Sequence, residues 1–212
     1  MCGINGIFSY HHAASEPDHE ELIRTRDHMF TRGPDGCGEW VSPNRRVLLG
    51  HRRLAIIDLS PTGAQPMSIK DGRLQVTFNG EIYNYQELRH QLVAEGVAFR
   101  SHSDTEVLLH LYHRYGPAMV QRLRGMYAFA IWDELKHTLF LARDRYGIKP
   151  LYYADDGRTF RFASQVQALL AGGAVSRTLD TAGLTGFMLW GSVPDPFTLY
   201  HDIRALPAGH TL

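Results

Sequence analysis

Apolar and polar positions fall into blocks along the chain, and the period changes from block to block. Residues 3–8 and 47–49 are short apolar runs closed by polar or glycine residues, the pattern of buried strands. Between them Leu22, Ile23, Arg26 and Met29, with Phe30 near the end, keep helical spacing from about Asp18 until Arg32-Gly33-Pro34-Asp35-Gly36 breaks it. Leu74, Val76 and Phe78 alternate with Gln75 and Thr77, which predicts a half-buried strand running into Asn79-Gly80-Glu81. Asn84 followed by Glu87 is a variant of the capping box, and Tyr85, Leu88 and Leu92 then share one face of a helix over about 85–95. Ser103 with Glu106 repeats the device before a second helix, lined by Val107, Leu108, Leu111, Tyr112 and Tyr115 and stopped by Gly116-Pro117.

The next stretch reads as hairpins. Residues 126–132 and 138–142 are apolar runs around a turn-like 133–136, and 152–154 pairs with 159–163 around Asp155-Asp156-Gly157 before a short helix near 165–170. Strands in runs and helices in pairs predict an α+β fold of two packed sheets with helices outside, because each sheet must bury a face. Asp180 caps a further helix carrying Leu184, Phe187 and Met188. The pattern divides the chain into one domain over 1–190 and, with Pro194, Pro196 and Pro207, a connector over 191–212 toward a domain that this chain lacks.

Composition narrows the function. Hydrophobic content of 44% and charged content of 21% in 212 residues are globular values. Lys+Arg and Asp+Glu both number 22, and no basic stripe offers a nucleic-acid footprint, so a small-molecule substrate is expected. No apolar run approaches the roughly 18 residues needed to span a bilayer, and the N-terminus has no leader pattern, which predicts a cytoplasmic protein without a membrane partner. Cys2 and Cys37 lack CxxC spacing, and the twelve histidines are scattered, His110 and His113 lacking HExxH context; no disulfide framework or metal site is expected.

Candidate chemistry begins at Cys2. Removal of Met1 would put a thiol and a free α-amine on one residue, a nucleophile beside a base whose ordinary pKa, about 7.7 to 8.0, suits proton transfer near neutrality. On position alone, a cysteine in second place reads as an incidental residue.

Met1-Cys2-Gly3-Ile4, Arg32-Gly33-Pro34-Asp35, Gly50-His51-Arg52-Arg53-Leu54-Ala55-Ile56-Ile57-Asp58, Asn79-Gly80-Glu81-Ile82-Tyr83-Asn84 and Ser103-Asp104-Thr105-Glu106 occur in that order. Residues 143–153 and Phe162-Ala163-Ser164 extend the set. The ensemble resembles the glutaminase domain of glutamine-dependent asparagine synthetases, a class II glutamine amidotransferase and N-terminal-nucleophile hydrolase. The resemblance implies a four-layer αββα sandwich of two antiparallel sheets. It implies Cys2 as nucleophile, with the Asn79 side chain and Gly80 N–H stabilising the oxyanion; the plainer reading of Asn79-Gly80 is a turn. It also implies Arg53 as binder of the substrate carboxylate, with Arg52 a structural bystander, residues Leu54, Ala55, Ile56 and Ile57 lining the pocket, and Glu81 and Asp104 accepting from the ammonium. Capping of its own helix is the rival role for Asp104.

The implied reaction is hydrolysis of L-glutamine to glutamate and ammonia without a cofactor. ATP and magnesium belong to a covalently linked synthetase domain that amidates aspartate, and the chain has no Ser-Gly-Gly pyrophosphate motif of such a domain. A homodimer stays open, as do a different ammonia acceptor and a catalytically silent interaction domain. Gln165, where relatives commonly carry an acidic residue, and Gly36-Cys37-Gly38 depart from the family pattern.

Overall fold

Strand β1 (Gly3–Ser9) is the apolar run that opens the chain, and the computed structural model, which describes residues 1–69 and 72–212, sets it inside a six-stranded sheet. Helix α1 (His19–His28) follows, then β2 (Gly36–Val41), β3 (Val47–Arg53), β4 (Met67–Ile69) and β5 (Leu74–Ile82). Helices α2 (Tyr85–Ala94) and α3 (Asp104–Tyr115) lead to the hairpins β6 (Gly125–Asp133) with β7 (Thr138–Arg143) and β8 (Tyr152–Asp155) with β9 (Thr159–Ala163). Helices α4 (Val166–Gly172) and α5 (Thr181–Trp190) and strand β10 (Arg204–Ala205) complete the order. One sheet runs β10-β8-β9-β1-β3-β2, the other β4-β5-β6-β7, and every strand pair is antiparallel.

Three apolar interfaces hold four layers together. Ile4, Leu49, Ala128, Trp132 and Phe162 fill the space between the sheets. Phe78, Phe129, Leu108 and Leu111 seal α2 and α3 onto the smaller sheet, while Leu22, Met29 and Leu169 seal α1 and α4 onto the larger. The sandwich is therefore the αββα arrangement that the family resemblance implies, and its two packed sheets with helices outside agree with the pattern of strand runs and paired helices.

Several local expectations change. β5 is not half-exposed: Gln75, Thr77 and Asn79 are as buried as their apolar neighbours, because their face meets the other sheet. There the Thr77 hydroxyl donates to the Gly50 carbonyl at 3.0 Å. Asn79-Gly80 is not a turn, since β5 continues to Ile82, with Asn79 opposite Ala128 and Gly80 opposite Tyr127. Strand β2 occupies residues that read as the end of a breaker. Asn84 starts α2 but does not cap it; its side chain donates to Arg122 O and accepts from Arg124 N, both at 3.0 Å, tying down the loop before β6. Ser103 does cap α3 by accepting from Thr105 N, whereas Glu106 turns away to the backbone of Arg100 and Ser101. Residues 191–212 pack on the sandwich: Ile203 and Leu206 are buried and β10 pairs with β8. Asp180 caps α5, as its position predicts, by accepting from Ala182 N and Gly183 N.

The inter-sheet layer also holds a titratable group. His51 is fully buried, with Nδ1 3.2 Å from Thr77 Oγ1, and burial, reinforced by the Arg53 charge, pushes its pKa down to about 3. The unfolded chain takes up a proton below about 6.5 that the folded chain refuses until about 3. This contribution to stability is fully present above the unfolded value and is lost as pH falls through that window. It amounts to about 5 kcal/mol. Urea unfolding between pH 7 and pH 4 should show a steep loss of stability that His51→Gln flattens; parallel curves would rule the assignment out.

Candidate active site

Cys2 stands directly before β1, so the fold's inner sheet fixes its backbone. Arg32 Nε donates to Cys2 O at 3.0 Å, and the Met1 amine donates to Arg32 O at 3.1 Å. Gly3 is required here because a Cβ would lie 2.9 Å from Met29 Cβ, so the chain end and the α1 terminus approach closely. The thiol sits against the first residue after β3: Leu54 N donates to Sγ at 3.4 Å, and Sγ donates to Leu54 O at 3.6 Å. Burial pushes the Cys2 thiol up, and the Leu54 N–H, the chain amine and the Arg53 charge draw it back. The amine of Met1 is pushed down by burial, with Arg32 and Lys149 acting in the same direction.

Above the thiol opens a cavity of about 220 Å³, of a size for a small metabolite. One wall is the free edge of β5. Phe78 N donates to Gln65 Oε1 at 2.7 Å and Ile82 N to Asp104 Oδ2 at 3.0 Å, so the two-residue period of the strand places the Gly80 N–H on the same edge between them. A side chain at 80 would collide with the β6 backbone at Met126 and Tyr127; glycine is needed for close approach rather than for an unusual φ. Beside it, Asn79 Nδ2 is buried without a hydrogen-bond partner although its residue lines the cavity. Buried donors are nearly always satisfied, so this amide is poised for a group that enters the cavity.

The opposite wall is the loop after β3. Arg53 lines the cavity, but its fork is engaged: Nη1 and Nη2 each donate to Ser60 O at 3.1 Å, and Nη2 also donates to Asp58 O. Leu54, Ile56 and Ile57 line the cavity as expected; Ala55 is absent from its wall, its N–H donating instead to Asp35 Oδ2 at 2.9 Å. Asp58 organises this loop. Its carboxylate accepts from Ser60 N, the Ser60 and Thr62 hydroxyls and His102 N, and these bonds hold it down to about 2 against burial.

Glu81 and Asp104 share the remaining wall. Asp104 accepts from Ile82 N and the Ser103 hydroxyl, and burial, with the Glu81 charge adding to it, raises its pKa to about 6. Its side chain thus braces the end of β5 rather than only its own helix. Neither acid is ion-paired among the described residues, which leaves an anionic corner that suits an ammonium. Of the residues named from the sequence, only Ala55 falls outside the cavity. Sequence reasoning gave no role to Asp58, Gln65, Met126 or Lys149, although Asp58 and Lys149 lie inside quoted motifs. Cys37 is exposed on β2, away from the cavity, and among the described residues no cluster of His, Cys, Asp or Glu could hold a metal ion.

Two antiparallel sheets between helix layers, with a cysteine at the start of the inner strand beneath a small cavity, define an N-terminal-nucleophile hydrolase fold. The solved structure of glutamine phosphoribosylpyrophosphate amidotransferase from B. subtilis, complexed with ADP and GMP, matches with a TM-score of 0.66 and 26% identity over 81% of this chain and 44% of that one. The chain belongs to the glutamine amidotransferase domain family, whose sequence profile matches residues 1–212.

Among curated relatives, asparagine synthetase [glutamine-hydrolyzing] 1 of Bacillus subtilis (strain 168) is 42% identical over 210 residues, 99% of this chain and 33% of its own length. Amidase chry2 of Gibberella zeae is 40% identical over 181 residues, 82% of this chain and 27% of its own. The chain spans about a third of the length of the asparagine synthetases it matches and is homologous to their glutaminase part. No helix among the described residues is long and apolar enough to cross a membrane.

Proposed function

We propose that this domain hydrolyses L-glutamine to glutamate and ammonia through a γ-glutamyl thioester on Cys2. The observation that carries the reading is the pairing, in one cavity, of the Cys2 thiol with the buried, unpartnered Asn79 amide. After Met1 is removed, the α-amine of Cys2, directly or through a water, takes the thiol proton, and sulfur attacks the side-chain amide carbon. Asn79 Nδ2 and the Gly80 N–H donate to the oxyanion. Collapse of the tetrahedral adduct, with the proton returned to nitrogen, releases ammonia; water then cleaves the thioester to glutamate. Arg53 takes the α-carboxylate by exchanging bonds to the Ser60 and Asp58 carbonyls for the substrate, and the Glu81–Asp104 corner takes the ammonium, Asp104 being ionised at neutral pH because its pKa is about 6. Thiol and amine supply nucleophile and base, so the reaction needs no metal or organic cofactor.

The ammonia is destined for a covalently linked, ATP- and magnesium-dependent synthetase domain amidating aspartate in the cytoplasm, with 1–190 as the glutaminase unit and 191–212 leading onward. A surface feature supports such a partner. Helix α5 buries Gly183 and Gly186 and leaves Phe187, Met188, Leu189 and Trp190 exposed, an inverted amphipathicity that another domain, or a second copy in a homodimer, would cover. A different acceptor is the second reading, favoured by the relative described as an amidase.

The test is glutamate release by the chain with Met1 removed, checked by intact mass, against the same chain carrying an uncleaved N-terminal extension. The extension should cost at least about 100-fold, the usual worth of a positioned base. Normal turnover by the extended chain would exclude the α-amine.

A further inference from the structure

Among the described residues, Lys149 is the one cation in the cavity wall for which the proposed chemistry has no use. It is 6% exposed, and the loop that carries it is held rigidly. The buried Asp144 carboxylate accepts from Tyr127 N, Tyr146 N, Ile148 N and Lys149 N, at 3.2, 3.1, 3.0 and 2.9 Å. From the other side Arg143 donates to Lys149 O at 3.0 Å and to Gly147 O at 2.9 Å. The backbone of Lys149 is therefore placed by two fully engaged side chains, while its ammonium has no ion-pair partner among the described residues.

The charges around it explain what it lacks. Arg32, whose Nη2 is also buried without a partner, repels it, and the Cys2 sulfur, Asp144 and Glu81 attract it. Burial and Arg32 push the Lys149 ammonium below its ordinary pKa, and a Cys2 thiolate opposes them. A buried cation is costly until an anion completes it. Asp144 is already engaged by backbone N–H groups, and Glu81 belongs with Asp104 to the corner assigned to the substrate ammonium, which leaves the thiolate as the anion for Lys149.

We propose that Lys149 is a positioning residue whose fixed ammonium is the counter-charge of the Cys2 thiolate. It exchanges no proton. The thiol proton passes to the α-amine or to solvent, and Lys149 stabilises the sulfur anion left behind. The inference rests on Cys2 as nucleophile but concerns its ionisation, not turnover. The other charged groups facing Cys2 are the chain amine, Arg32 from the turn after α1, Arg53 from β3, Glu81 from β5 and Asp104 from α3; Asp35 faces the amine.

The experiment is alkylation of Cys2 by iodoacetamide as a function of pH, followed on the Cys2 peptide by mass so that exposed Cys37 does not interfere. All chains are first checked by intact mass for the same N-terminus. Lys149→Met should raise the midpoint by about one pH unit and slow alkylation at pH 7 about tenfold. Lys149→Arg should restore both, and Lys136→Met, which alters an exposed lysine, should change neither. If Lys149→Met melts early, Lys149→Gln carries the same comparison. A midpoint equal to wild type in a folded Lys149→Met or Lys149→Gln chain overturns the proposal. A chain inert toward glutamine would still titrate, so failure of the glutaminase reading appears only in glutamate release.

Discussion

Cys2→Ala abolishes glutamate release from glutamine, a loss of at least about 1,000-fold, with the folded state intact. The size follows from removing the thiol that forms the covalent adduct with the amide carbon. What remains, an oxyanion site and a substrate corner, can only assist direct attack by water. Stability should change by less than about 1 kcal/mol, because Cys2 is half-buried and, among the described residues, its sulfur hydrogen-bonds to the Leu54 backbone alone. Cys2→Ser separates nucleophilicity from shape: it keeps both Leu54 contacts in reach yet offers a hydroxyl that the α-amine deprotonates far less readily. Its activity should lie close to that of Cys2→Ala. Measured as glutamate per chain over time with the melting temperature alongside, hydrolysis that persists in Cys2→Ala ends the mechanism.

Asn79→Ala should lower kcat by about 100- to 1,000-fold, the usual loss for one oxyanion donor. KM should move little, since the amide meets a charge that exists only after attack. Stability supplies an independent check. In the folded chain Asn79 Nδ2 is a buried donor without an acceptor, so its loss removes a desolvation penalty instead of a hydrogen bond. A variant that is nearly inactive yet no less stable would mark a residue kept for chemistry. If kcat were unchanged, the Gly80 N–H and other donors would have to carry the oxyanion alone.

Much of this fold is legible in the sequence because strands buried between layers are long apolar runs. β1, β3 and both hairpins show in that way, and Asp180 and Asp18 mark helix starts by side chains that do cap. The misses have local causes. β2 is an edge strand whose cysteine, glutamate and valine face solvent, and its inward face carries two glycines and only Trp40, too little apolar signal to detect. The polar side of β5 looks like solvent exposure because sequence cannot show that a second sheet covers it. For the same reason Asn79-Gly80 passes for a turn, when the glycine is demanded by the closeness of β6.

The candidate site divides likewise. Cys2, Arg53, Asn79 and Asp104 stand out through ordered motifs, but how they are held depends on distant backbone. Asp58 joins the loop after β3 to His102, 44 residues on, and no spacing rule reveals that link. Arg53 resembles a free fork in sequence and is clamped to carbonyls in the fold. Lys149 shares a cavity wall with Cys2 because Asp144 and Arg143 shape the loop between β7 and β8.

A glutamyl thioester on Cys2, freed of Met1, can be trapped by quenching the chain in acid during turnover of glutamine and mapping the adduct by peptide mass. One glutamyl group per chain at most is expected, on the N-terminal Cys2 peptide, labile to hydroxylamine and absent from Cys2→Ala. An adduct on Cys37 or elsewhere, or steady turnover with Met1 still attached, would contradict it.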